Sequence, residues 1–242
     1  MRMYGEAQME FAELFNVDPE EAIDNVDRAF EAKLERFHSL YDASKSIFPY
    51  FESGETSLLI AIRNAVHHRD HPLFHSLNRR LHLQDEGKRW LGASFLIGRH
   101  PTTHGEQIPM SHLVRLDDID ARLDPDFGST HVDRLVKGDK ARQRFKVIND
   151  HLNLGSIRAQ ALKNRYPRDQ VYLDLMPVYV AATCKVFKAL KKAGIEFIGF
   201  DAKTYFTPFT TELAVDLSHV DFSRLRLRGL GPLDLVPVPA RL

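Results

Sequence analysis

The chain of 242 residues contains a single cysteine, and this scarcity limits the chemistry open to it. One thiol cannot form an intramolecular disulfide or build a metal site from several thiolates. Cys184 closely follows the apolar run Val178-Tyr179-Val180-Ala181-Ala182, so we expect a buried, inert side chain. The sequence therefore excludes a disulfide framework and a multi-thiolate metal centre.

Long apolar segments are missing as well. The longest nearly apolar stretch, residues 173–187, is too short to span a bilayer and contains Asp174 and Lys185. The first residues, Met-Arg-Met-Tyr-Gly-Glu, lack the apolar core of a secretory signal. We therefore expect a soluble, cytoplasmic protein with no membrane partner.

The chain has no net charge, but its charges are unevenly distributed. Residues 1–35 hold ten acidic and three basic side chains, a balance of −7. Residues 134–168 hold ten basic and two acidic ones, a balance of +8, and residues 63–99 have a balance of +4. Positive stretches of this kind can hold phosphates, and they can equally face an acidic helix within one fold.

Familiar nucleotide and hydrolase motifs are absent from the sequence. There is no Gly-x-x-x-x-Gly-Lys-Ser/Thr loop and no Gly-x-Ser-x-Gly elbow. The two isolated glycines Gly229 and Gly231 are not enough to indicate a nucleotide-binding site. We predict no cofactor and no metal.

Helical patterns dominate what is present. Asp18, Pro19 and Glu21 form a helix start with an N-cap, a proline at the first position and a capping-box-like carboxylate. Apolar residues then recur at helical spacing for about 24 residues. Four more helices are predicted: from about Glu55 to His71, from Asp139, over residues 157–166 and over residues 177–193.

The other segments give weaker signals. Residues 90–97 fit a strand or a buried helix, and residues 100–109 read as a loop. The acidic residues 117–128 suggest a surface connection. Residues 195–200 alternate like a strand, with residues 206–217 as a pairing partner.

The most informative motif lies at the end of the second predicted helix. Arg63-Asn64-Ala65-Val66-His67-His68 follows the apolar run Leu58-Leu59-Ile60-Ala61-Ile62. Arginine can bind two phosphate oxygens with a permanent charge, and histidine can transfer protons near neutral pH. Asn64 and His68 share a helix face, whereas Arg63 lies about 140° from His68 around the axis. Arg63 and His68 can reach one site only because the arginine side chain is long and the helix ends at this point.

This Arg-Asn-x-x-x-His pattern resembles the Arg-x4–6-His signature of the HEPN superfamily, in which many members are metal-independent ribonucleases. The resemblance implies a mainly α fold, a HEPN-like helical bundle with a small β-containing elaboration. Residues 1–242 would form a single domain with core helices at about 18–71 and 139–193. Residues of about 88–130 and 195–242 would be elaborations.

The resemblance also implies an endoribonuclease that cleaves RNA through attack by the 2′-hydroxyl group. Arg63 would stabilise the phosphorane, His68 would transfer protons and Asn64 would orient them, with possible support from His67 and Asp70. One histidine cannot easily be both base and acid, so a homodimer with a composite site is implied. Family analogy suggests a toxin or abortive-infection effector with an antitoxin or regulatory partner, for which the acidic first helix is a candidate surface.

Three alternatives stay open. Cations near a helix C-terminus also complement the helix dipole, so the motif can be structural. The protein can be a non-catalytic module that binds RNA or a partner protein. The spacing of His67, His71 and His75 also fits a histidine-ligated metal, although Pro72 interrupts the helical spacing.

Overall fold

The computed structural model describes residues 2–67, 73–84, 89–199, 201–227 and 238–239. In this part of the chain, helices pack around a small mixed sheet. The helices are α1 (Arg2–Phe15), α2 (Pro19–Ser44), α3 (Gly54–His67), α4 (Leu77–His82), α5 (Leu116–Leu123), α6 (Asp139–His151), α7 (Leu154–Lys163), α8 (Leu175–Lys192) and α9 (Ala202–Thr207). The strands are β1 (Ser94–Arg99), β2 (Leu113–Arg115), β3 (Val171–Asp174), β4 (Asp221–Arg226) and β5 (Val238–Pro239). The predicted mainly α class with a small β part is confirmed.

Helix α2 begins where the sequence predicts. The Asp18 carboxylate accepts a hydrogen bond from the Glu21 amide at 3.0 Å, and Pro19 occupies the first turn. The apolar face of α2 packs against α1, a helix that was not predicted from the sequence. Phe11 and Phe15 of α1 are buried in that contact region of the core.

The sheet has the strand order β2-β3-β1-β4-β5. Strands β1 and β3 run parallel, with Leu96 opposite Val171, and the other neighbours are antiparallel. Strands β1 and β2 lie in the segment 88–130, and β4 and β5 lie in the segment 195–242. Strand β3 lies in the segment 139–193, so the sheet joins the predicted core helices to both predicted elaborations.

Both faces of the sheet are buried along its central strands β1 and β3. Along β1, Leu96 points into the main helical core, whereas Phe95 and Ile97 belong to a second cluster that includes residues of α4. Strand β3 alternates in the same way, with Leu173 in the main core and Tyr172 in the second cluster. Of the apolar segment 90–97, the part from Ser94 onwards forms β1, and burial of both faces explains why its sequence is almost continuously apolar.

Helix α3 lies at the centre of the helical layer. It packs against α2, α6 and α8, and each of its residues 54–62 is buried. Gly54 permits a close approach to α6, because a Cβ atom there would lie 2.7 Å from His151 Cβ and 3.0 Å from the Val147 carbonyl oxygen. The N-terminal two thirds of α3 are therefore fixed by packing, and Arg63 follows directly after this buried part.

Two expectations for irregular and β segments are wrong. Residues 195–198 form no strand; Phe197 instead packs edge-on against Phe187 of α8, with ring centroids 4.8 Å apart. Residues 206–212 are helical, ending in a π-helical turn at Pro208–Glu212. The alternation of Ile195 and Phe197 thus reflects contact with a helix, and β4 takes the place in the sheet beside β1.

The acidic segment 117–128 is also not a simple surface connection. Helix α5 occupies residues 116–123 and is buried along its length apart from Asp117. Asp118 accepts hydrogen bonds from Arg80 and Arg115, and Asp120 pairs with Arg158. Arginines from other elements neutralise the carboxylates, which allows an acidic sequence to lie inside the fold.

Candidate functional site

Arg63 is held by a carboxylate from the neighbouring helix. Its Nη2 atom donates to Glu35 Oε2 of α2 at 2.8 Å, and its Nη1 atom donates to Asn64 Oδ1 at 3.4 Å. The side chain is 19% exposed. Its Nε atom is buried and has no hydrogen-bond partner in the described part of the chain. The guanidinium is thus fixed in orientation and still has an unused donor.

The Glu35 carboxylate contacts two basic residues on successive turns of α3, Arg63 and His67. One carboxylate oxygen accepts from Arg63, and the other lies 3.5 Å from His67 Nδ1. The hydrogen bond from Arg63 holds the pKa of the Glu35 carboxyl below its ordinary value, although partial burial opposes this shift. Arg63 and His67 are four residues apart and therefore share the face of α3 that turns towards α2.

Asn64 lies on an adjoining face of α3 and is partly buried. It lines a groove between α3, α6 and the segment that precedes α6. The lining residues are Phe51, Ile60, Asn64, Asp133, Leu135, Val136, Asp139, Lys140, Gln143, Arg144 and Val147. The motif thus borders a concave surface.

The structure brings part of the predicted site together. Arg63, Asn64 and His67 are close neighbours on the last turns of α3, and Glu35 joins them. His68 and Asp70 lie outside the described residues. Glu35 is not among the site residues that the sequence predicts; only the packing of α2 on α3 brings it to Arg63.

The metal alternative has few supporting features. His71 lies outside the described residues, and His75 contacts Gln84 through its ring Nδ1 atom. Burial, the main cause, lowers the pKa of the His75 imidazole. Among the described residues, no group of three or more histidine, cysteine, aspartate and glutamate side chains is arranged to hold a metal ion.

A second polar cavity lies at the carboxyl ends of the parallel strands β1 and β3. Arg99 ends β1, and its Nη1 atom lies 3.3 Å from Oδ2 of Asp174, which ends β3. His100 lines the same cavity as Arg99 and Ser111. Its Nδ1 atom donates to the His219 carbonyl oxygen at 2.8 Å, and its buried Nε2 atom has no hydrogen-bond partner among the described residues. Chain crossovers create this site, and no sequence motif marks it.

A buried lysine adjoins this region. Lys33 Nζ lies 4.6 Å and 4.3 Å from the ring centroids of Tyr4 and Tyr179 and donates to the sulfur of Met176. Burial lowers the pKa of Lys33 to about 7, with Asp174 acting in the opposite direction. Sequence periodicity gave no sign of this residue, because a lysine at a core-facing helix position is normally read as exposed.

Comparisons of the chain with protein-family models, curated proteins and solved structures find no match. Within the described ranges, no helix has the length and apolar character needed to cross a membrane. Function must therefore be argued from the side chains. The cluster at the end of α3 consists of an arginine in a fixed orientation, an amide and an exposed histidine, His67. An arginine can bind a phosphodiester, and a histidine can transfer its protons.

Proposed function

We propose that the protein is a metal-independent endoribonuclease with a HEPN-like bundle and its site at the end of α3. One observation carries the proposal: Glu35 fixes the Arg63 guanidinium beside Asn64 and His67 at the end of α3. A phosphate at this point would meet a permanent positive charge in a set orientation. Charge stabilisation by preorganised donors is commonly the largest contribution to catalysis of this kind.

The chemistry follows from the side chains in the motif. A histidine removes the proton of the ribose 2′-hydroxyl, and the resulting oxygen attacks the adjacent phosphorus. The bond to the departing 5′-oxygen breaks, and that oxygen takes up a proton. The products are a 2′,3′-cyclic phosphate and a 5′-hydroxyl end. Arg63 would stabilise the phosphorane, His68 would transfer protons and Asn64 would orient the reacting groups.

The proposal includes a homodimer. Two proton transfers at opposite oxygens require two groups, and two copies of the motif would supply two histidines and two arginines in one cleft. RNA is the proposed substrate, and an antitoxin or regulatory protein is the proposed partner. The exposed acidic residues of α1 and α2 are the proposed contact surface for that partner.

The direct test uses end-labelled RNA with an excess of EDTA. We expect wild-type protein to cleave, and Arg63→Ala to lose at least about 100-fold in rate, the usual effect of removing one transition-state donor. Arg28→Ala is the control, because Arg28 is an exposed arginine on α2 that contacts only Asp24 among the described residues. An equal loss in both variants, or full activity in Arg63→Ala, would refute the proposal.

If no variant cleaves RNA, binding without catalysis becomes the better account. The groove beside Asn64 favours this second function, because its size lies in the range of ligand-binding clefts. A folded protein that retains RNA on a filter and leaves it intact would establish the binding module.

A further inference from the structure

The groove between α3 and α6 has features that the proposed chemistry does not use. It has a volume of 610 Å³ and begins at Asn64, next to Arg63. Its position beside the motif makes it the natural path for nucleotides that flank a phosphate held at Arg63.

The walls of the groove are largely apolar. Phe51, Ile60, Leu135 and Val147 are among the lining side chains. Phe51 is 47% exposed, although one part of its ring packs edge-on against Tyr41, and Leu135 is 79% exposed. Exposed apolar side chains that line one groove together can mark a binding surface. The Arg144 guanidinium lies 5.3 Å from the centroid of the Phe51 ring. An aromatic ring with a neighbouring guanidinium is a stacking surface for a nucleobase.

Polar groups in the groove are placed to contact the edge of a base. Arg144 is fixed by hydrogen bonds to Ser57 Oγ and to the Ser57 carbonyl oxygen at 3.0 and 3.2 Å. The Asn64 carbonyl oxygen accepts from Arg63, and its amide nitrogen has no partner in the described part of the chain. Gln143 adds an exposed amide. These groups supply donors and acceptors without adding net negative charge.

Unpaired cations lie on or next to the segment that lines the groove. Lys140 is a lining residue, and Arg134 and Lys137 adjoin lining residues in sequence; all three are exposed and form no ion pair within the described residues. The acidic lining residues are already paired, Asp133 with Arg122 and Arg144, and Asp139 with Arg142. An apolar floor below unpaired cations fits a nucleic acid strand, with its bases inward and its phosphates on the rim. A protein partner would leave those three cations unmatched unless it were acidic.

We propose that this groove holds an unpaired base next to the scissile phosphate, with Phe51 as its stacking surface, so that the substrate is single-stranded RNA. The inference rests on the proposed function for its substrate. A base inside a duplex is stacked and paired, and it cannot enter a side-chain groove without leaving the helix. The groove therefore selects single strands by shape.

Binding to an RNA that cannot be cut tests the groove separately from catalysis. The probe is a fluorescein-labelled, fully 2′-O-methylated 20-nucleotide strand, either alone or annealed to its complement, followed by fluorescence anisotropy. We expect wild-type protein to bind the single strand at least about tenfold more tightly than the duplex. Phe51→Ala should raise the Kd for the single strand by about 5- to 100-fold, the usual contribution of one stacked base, and Phe51→Trp should restore it.

Leu91→Ala is the matched control, because Leu91 is a similarly exposed apolar residue that is not in the groove. Circular dichroism melting confirms that each variant is folded. Equal Kd values for Phe51→Ala and wild type, preference for the duplex, or absence of binding would overturn the inference. Cleavage of all-ribose RNA is measured in parallel, so loss of catalysis with intact Phe51-dependent binding would refute only the proposed enzyme activity.

Discussion

Glu35 on α2 accepts a 2.8 Å hydrogen bond from Arg63 on α3, across 28 residues of sequence. The contact joins two helices at the point where α3 leaves the core, and it sets the direction of the guanidinium. The same carboxylate lies 3.5 Å from His67. Glu35 is therefore a positioning residue in this account: it acts on the substrate through Arg63.

The role of Glu35 gives the first prediction. Glu35→Gln removes the charge that orients Arg63, so kcat for RNA cleavage should fall by about 10- to 100-fold, the size of effect that a small misplacement causes. The free energy of unfolding should change by less than about 1 kcal/mol, because an exposed ion pair contributes little. Glu20→Gln, an exposed carboxylate at the start of α2, is the control. A large loss of stability, or an unchanged kcat, would show that the pair is merely structural.

Lys33 gives a prediction about pH. Its pKa is about 7 in the folded protein and near 10.5 in the unfolded chain. Between these values the unfolded state binds more protons, so the lysine makes stability rise with pH from about 7 to about 10.5. Below pH 7 the folded protein must keep a buried cation, which opposes folding.

Lys33→Met should therefore be more stable than wild type at pH 6, and its advantage should shrink as the pH rises above 7. Urea unfolding at pH 6, 7.5 and 9 measures the difference, and comparison with wild type cancels the other titrating groups to first order. A constant difference at all three values would mean that Lys33 keeps an ordinary pKa.

The buried carboxylate Asp118 gives a stability prediction. It accepts hydrogen bonds from the Phe74 amide at 3.0 Å and from Arg80 and Arg115 at 2.8 Å each. Asp118→Ala removes the carboxylate that pairs with the buried Arg80 guanidinium and should cost about 3–5 kcal/mol in the free energy of unfolding. Asp126→Ala removes an exposed partner of Arg142 instead and should leave the free energy of unfolding nearly unchanged, because solvent screens an exposed ion pair. Chemical denaturation of both variants makes the comparison, and similar losses would contradict it.

Gly54 tests the packing that places α3. A methyl group at this position would lie 2.7 Å from His151 Cβ and 3.1 Å from Ile148 Cα, so α3 and α6 would have to separate. We expect Gly54→Ala to lower the free energy of unfolding by about 1–3 kcal/mol, the usual cost of overpacking. Gly155→Ala is the control, since nothing lies within 4 Å of its added methyl group. An equal or greater loss at Gly155 would mean that helix separation is not the cause.

The sequence predicted the elements whose signals are local. Three helices form as predicted, because each has a signal that lies within one segment of the sequence: the N-cap Asp18 of α2, the apolar stripe of α3 and the apolar run of α8. The wrong predictions concern segments whose structure depends on residues far away in the sequence. Burial of the acidic helix α5 requires arginines from α4, α7 and β2, and the alternation at Ile195 and Phe197 is explained only by the position of Phe187.

The residues of the candidate site also fall into two groups, those that the local sequence indicates and those that depend on packing. Arg63 and Asn64 could be found because three motif positions are close in sequence and follow an apolar stripe. The roles of Glu35 and Phe51 could not be found, because nothing in a single sequence says which face of α2 packs on α3 or where the segment before α6 lies. Arg63 meets Glu35 only because α2 packs on α3, and the sequence does not show this packing.

The most direct test of the account is the chemistry of the cut ends. Wild-type protein is incubated in EDTA with an all-ribose strand and with the same strand carrying one 2′-deoxynucleotide at the cleavage position. The account predicts 2′,3′-cyclic phosphate and 5′-hydroxyl ends, no cut at the deoxy position, and no cleavage by Arg63→Ala or His68→Ala. Cleavage at the deoxy position, 3′-hydroxyl with 5′-phosphate ends, or a requirement for a divalent metal would contradict it.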